Sequence, residues 1–251
     1  MRLTEAGTLF RKRTAYILEL VDNTINEISD LNLGISGTLI LGTITTSGAA
    51  LLPSLIREFR NQFPNVAFQL YEGDGNRVIE LLEKGVTEIG ILRLPFDPDI
   101  FDAVRFPEEP LVVAMNRNVY RYGDNNESVR LQELIDAPMI LPYRWETMFK
   151  EHCKKAGFEP KVACRSDGIT HDLLWADAGI AIALIPQSAS VLFPSSTLVF
   201  KPIIEPSLFT QTAVIWLKNH ILSTTARHFL ALVKEKAASE KVLTPDLSKK
   251  T

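Results

Sequence analysis

The chain has 251 residues, enough for two domains of ordinary size. At 46% hydrophobic and 23% charged it has the composition of a globular protein able to bury sizeable cores. A formal net charge of -3 gives nucleic acid no overall attraction, and no apolar run nears the roughly 18 residues of a membrane span.

Residues 3 to 33 predict one long helix. Phe10, Thr14, Ile17, Val21, Thr24, Ile28 and Leu31 recur at alternating spacings of four and three, the seam of a coiled coil. The expected role is dimerisation through Phe10, Ile17, Val21, Ile28 and Leu31. The competing reading is a helix packed on its own domain. Arg11, Lys12 and Arg13 read as a solvated basic face. Gly34 is the expected stop.

Thr38 to Ile44 is an apolar run, the pattern of a strand buried on both faces. Thr45, Thr46 and Ser47 then interrupt it with three hydroxyls. From Ala49 the apolar positions Leu52, Leu55, Ile56, Phe59 and Phe63 predict one helix, left at Pro64. A hydroxyl cluster thus sits where a buried strand hands over to a helix N-terminus, a place that favours anions. It is equally an ordinary helix cap.

The pattern repeats. Val66 to Glu72 is a strand, Gly73 to Gly75 a turn, Arg77 to Lys84 a helix stopped by Gly85, and Glu88 to Leu92 a strand. Such alternation predicts a parallel sheet with helices on its faces. Ligands then bind beyond the carboxyl ends of the strands: Thr45 to Ser47, Glu72 to Asp74, and Arg93 to Pro95. Residues 95 to 110, with four prolines, predict a loop and a crossing segment, and Leu111 to Met115 a strand.

A second α/β region follows. Strands are expected at 139–141, 161–165, 180–185 and 198–201, with helices at 131–135, 146–156 and 170–178. A second crossing at 205–209 leads to a strand at 212–217 and an amphipathic helix at 224–236. Two lobes joined by two crossings form a hinged cleft. Cys153 and Cys164 are expected as reduced thiols.

Four segments carry a family likeness. LTEAG at residues 3 to 7 before a long helix resembles the junction of winged helix-turn-helix and linker helix in LysR-type transcriptional regulators. GTLILGTITTSGAALLPSLIREFRNQFPNV, GNRVIELLEKGVTEIGIL and DAGIAIALIPQSA resemble successive segments of their effector-binding domain. The resemblance spans residues 3 to 237. It implies a type-II periplasmic-binding-protein-like fold: two Rossmann-like α/β lobes with two crossover segments, preceded by a linker helix. The implied division is 1–33 the end of the winged helix-turn-helix and the linker or dimerisation helix, 34–108 and 209–237 first lobe, 109–208 second lobe, and 238–251 a loose tail.

The resemblance also implies a small-molecule effector, here expected to be an anion, bound between the lobes. The family's contact positions fall on Thr45, Thr46, Ser47, Arg93 and Leu94 in the first lobe. In the second they fall on Tyr143, Arg144, Gly168, Ile169 and Thr170. His171 reads instead as a polar residue at a helix start. A homodimer or tetramer in the cytoplasm is implied. The family's helix-turn-helix precedes LTEAG, and here only Met1 and Arg2 do. DNA binding is therefore expected only through a helix-turn-helix not present in this chain.

Two other readings compete. A transporter's solute-binding protein shares the fold, but the coiled-coil seam and the lack of a signal-peptide core argue against it. An enzyme would need more than Ser47, His171 and Asp172. No G-x-S-x-G surrounds Ser47, no H-E-x-x-H or C-x-x-C is present, and the histidines at 152, 171, 220 and 228 are scattered. No catalytic residue, metal or cofactor is expected.

Overall fold

The computed structural model describes residues 35–123, 127–204 and 206–239, with residues 3–7, 10, 11, 13, 14, 17, 21 and 24 before them. Ile28, Leu31 and residues 240–251 lie outside the described residues. Phe10, Ile17 and Val21 are helical and exposed, at 73%, 59% and 49% of their surface.

The first lobe begins with β1 (Gly37–Thr43), which pairs in parallel with β2 (Val66–Glu72) and β3 (Ile89–Arg93). Helices α1 (Thr45–Ala50) and α2 (Leu52–Gln62) follow β1, and α3 (Gly75–Glu83) follows β2. The single helix expected here is two. Pro53 stands in the first turn of α2 and has no N–H to return to the carbonyl four residues back, so the chain restarts at Leu51. The hydroxyl turn is therefore itself the start of a six-residue helix.

β4 (Phe101–Asn116) is one strand of 16 residues where the prolines predict a loop. Its first half pairs antiparallel with β10 (Phe209–Leu217), and its second with β8 (Ile182–Pro186) and β9 (Leu198–Ile204). The register shifts between Gln211 and Ala213, so that Phe106 and Pro107 together face Thr212. Pro107 thus occupies a bulge, where no ladder N–H is missed. Gln211 Nε2 donates to the Phe106 carbonyl at 2.8 Å and satisfies the bulged backbone. Pro110 ends the pairing with β10, where β4 changes partners.

The second lobe holds β5 (Val129–Arg130), β6 (Pro138–Pro142), α4 (Tyr143–Lys155), β7 (Lys161–Ser166) and α5 (Ile169–Asp177). β6 is parallel to both β7 and β8. The chain then returns through β9 and β10 to α6 (Thr224–Ser239), which packs on the first lobe. The path through the sheet is β2-β1-β3-β10-β4-β8-β6-β7. At the waist the two crossings run side by side, and Leu111 N–H donates to the Leu208 carbonyl at 2.7 Å.

Each lobe has its own core. Leu39, Leu41, Phe59, Ile91, Phe229 and Val233 pack together in the first, and Val113, Met139, Phe149 and Leu184 in the second. Phe59 meets Phe229 edge-on at 5.4 Å, fixing α2 against α6. Cys153 and Cys164 are free thiols, and burial pushes Cys153 up to about 11, which leaves it inert near neutral pH.

Candidate functional site

The carboxyl ends of β1, β2 and β3 face those of β6 and β7 across a cavity of about 680 Å³. Parallel strands deliver chain ends to one edge, so the turns that follow them line the gap. From the first lobe come Thr45, Thr46, Glu72 to Asn76, Arg93 and Pro95. From the second come Pro142 to Trp145, Ser166, Asp167, Ile169 and Asp172. A second cavity, of about 480 Å³, is lined only by second-lobe residues, Arg117, Arg121 and Lys201 among them. It does not lie between the lobes and touches none of the residues that the sequence picks out.

Six of the ten expected contact residues line the cleft: Thr45, Thr46, Arg93, Tyr143, Arg144 and Ile169. Ser47 instead faces a smaller cavity at the waist, with Phe106 to Glu109, Ser188 and Thr212. Leu94, Gly168 and Thr170 are not part of the cleft wall. Leu94 packs its side chain against the first-lobe core and turns its carbonyl to Arg144. Gly168 is the N-cap of α5; Thr170 and His171 are exposed.

Arg93 ends β3 with only 2% of its surface exposed. Its Nη1 lies 2.8 Å from Glu109 Oε1, close but off the line of a good hydrogen bond. Its Nη2 donates to Ser188 Oγ at 3.0 Å. Ser188 in turn donates from its N–H to Glu109 Oε2 at 2.7 Å and from its hydroxyl to Oε1 at 3.0 Å. Burial lowers the Arg93 pKa, and the Glu109 charge opposes that shift. The charge of Arg93 is thus already answered, and the trio ties β3 and β4 to the second lobe.

Arg144, at the start of α4, crosses the cleft. Its Nη1 donates to the carbonyls of Arg93 at 3.2 Å and Leu94 at 3.0 Å. A Cβ on Gly75 would stand 2.6 Å from its Nη2, so glycine there leaves the guanidinium room. Only Nη1 makes hydrogen bonds among the described residues, which leaves Nε and Nη2 as donors.

Of the acids of the wall, Glu72 and Asp74 stand at a strand end where ligand binding is expected, whereas Asp167 and Asp172 are not among the expected contacts. Thr45 Oγ1 donates to Glu72 Oε1 at 2.8 Å, and Asp74 caps α3 by accepting from Arg77 N–H at 2.7 Å. Asp172 is 1% exposed, and neither carboxylate oxygen has a hydrogen-bond partner. Burial raises its pKa to about 6; Ser166 and His171 pull the other way and Asp167 adds to the rise. Ser166 is close, but its hydroxyl donates to the Gly168 carbonyl at 3.4 Å and accepts from the Gly168 N–H at 3.0 Å. The only sequence signal for Asp172 is an acid between apolar neighbours near the start of a helix.

Comparison with known proteins adds the family. A model described as the LysR substrate binding domain matches residues 33–238. The HTH-type transcriptional regulator BudR of Raoultella terrigena is 30% identical over 242 residues, covering 92% of this chain and 81% of that protein. The BenM effector binding domain with its effector benzoate superposes with a TM-score of 0.68 at 23% identity, over 80% of this chain and 92% of that one. The effector binding domain of QuiR in complex with shikimate superposes at 0.72 with 19% identity, over 82% of this chain and all of that one (100%).

Proposed function

The chain belongs to the LysR family of transcriptional regulators through its substrate-binding domain, and from that premise we propose that a small organic anion binds its interlobe cleft and acts through the geometry of an oligomer. The role is regulatory, not catalytic. The observation that carries the reading is the cleft itself: the hydroxyl of Thr46 on one lobe, Thr45 donating its own to Glu72, and an arginine with donors to spare on the other. An arginine fork suits a carboxylate. α1, with six residues, adds little dipole of its own, so the Thr46 hydroxyl and the guanidinium carry the recognition. A regulator of transcription works beside the DNA, which supports a cytoplasmic location.

A thermal-shift screen of small organic acids is expected to give at least one that raises the melting temperature. Stabilisation by mass action is about 2.7 kcal/mol at a hundredfold excess over Kd. Thr46→Val keeps the shape and removes one hydroxyl. It is expected to weaken that acid by about 0.5–1.5 kcal/mol without unfolding the chain. Equal binding by the variant would remove Thr46 from the site.

Oligomer formation is the second part of the proposal. Phe10, Ile17 and Val21 are each helical and expose large apolar side chains at positions of the expected seam, the pattern of a surface that awaits a partner. Ile17→Lys would bury a charge in such a seam and is expected to weaken self-association. Light scattering at micromolar concentration checks this: a monomeric parent chain would overturn it.

A further inference from the structure

Building on the anion-binding reading of the cleft, we infer that its effector carries a second feature besides a carboxylate: a hydrogen-bond donor, hydroxyl or ammonium, that meets Asp172. Charge on the wall is the first observation. Glu72, Asp74, Asp167 and Asp172 face the cavity, against Arg93 and Arg144. Arg93 is neutralised by Glu109, so acids outnumber available cations. A plain anion would enter a net acidic cleft with Arg144 alone to balance it. An effector with donor groups spread over its body suits that wall.

Asp172 is the second, independent observation. It forms part of the cleft wall, is only 1% exposed, and has two unpartnered oxygens closed to water. The groups around it do not complete it. Ser166 donates its hydroxyl to the Gly168 carbonyl at 3.4 Å, Asp167 repels it, and His171 points its ring nitrogen toward Gly168. Glu72 and Asp74 on the opposite wall are acceptors as well. A buried acceptor without a donor is costly, and a ligand that supplies the donor removes that cost. Sites built around such a group discriminate strongly against analogues that lack the matching donor.

The test uses matched carboxylic acids: lactate with propionate, malate with succinate, aspartate with succinate, and 3-hydroxybenzoate with benzoate. Each is titrated calorimetrically into the full chain, into Asp172→Leu and into Asp172→Asn, with folding checked by circular dichroism. In at least one pair the donor-bearing member is expected to bind at least about tenfold tighter to the parent chain. That preference is expected to collapse in Asp172→Leu. If Asp172→Leu does not fold, Asp172→Asn decides, by losing the preference for the ammonium of aspartate. Acids that bind the parent without preference, or with a preference unchanged in the variants, overturn this inference and leave the anion reading standing. No binding by any acid overturns both.

Discussion

Glu109→Ala is expected to destabilise the chain by about 3–5 kcal/mol, the usual effect of stranding one member of a buried ion pair. Arg93 would keep its charge at 2% exposure with only Ser188 Oγ to accept from its side chain, and Ser188 would lose the acceptor for both its N–H and its hydroxyl. By contrast Asp136→Ala breaks the pair with Lys161, whose side chains are 76% and 61% exposed, and is expected to change stability by less than about 1 kcal/mol. The double variant Arg93→Met/Glu109→Leu removes both charges and is expected to recover much of the loss. Denaturant unfolding of the parent and the three variants checks this. A Glu109→Ala midpoint equal to the parent's would show that the trio does not tie the lobes.

Asp172→Asn is expected to stabilise the chain, and only above the acid range. A carboxyl whose folded pKa is raised from 3.8 to about 6 binds its proton more tightly folded than unfolded. Stability from that proton is present in full below 3.8 and is lost as pH rises through 6. At pH 8 the parent therefore carries a buried, unpartnered charge, worth on the order of 1–3 kcal/mol against the variant. At pH 4 the two are expected to melt alike. Only the difference between variant and parent is read, because other carboxylates titrate in the acid range equally in both. Melting curves that keep a constant gap from pH 4 to pH 8 would contradict the burial of an ionised Asp172.

Much of this architecture is legible along the chain. β1 is a run of Leu and Ile that alternation cannot explain, and the strands at Val66 and Glu88 recur at the spacing of a parallel sheet. The place of Thr45 and Thr46 in the cleft follows from the same rule, since parallel strands end together. Pro107 and Pro110 mislead because a proline reads as a break, whereas here a bulge and a change of partner absorb the missing N–H groups. Pro53 is compatible with the start of one helix by its position, yet its ring splits that helix at Leu51. The Arg93–Glu109–Ser188 trio is hidden for another reason. Its members come from a strand, a crossing and a short turn of the other lobe, with Arg93 and Ser188 95 positions apart, and no local period joins them. Asp172 is hidden because burial without a partner is a property of packing, invisible in the residue itself.

The most direct measurement is a crystal structure of the chain grown with the acid that raises its melting temperature most. The predicted result is the carboxylate between the Thr46 hydroxyl and the Arg144 guanidinium, inside the interlobe cleft. The contradicting result is that acid bound elsewhere on the chain, with the cleft between Thr46 and Arg144 empty of it at saturating concentration.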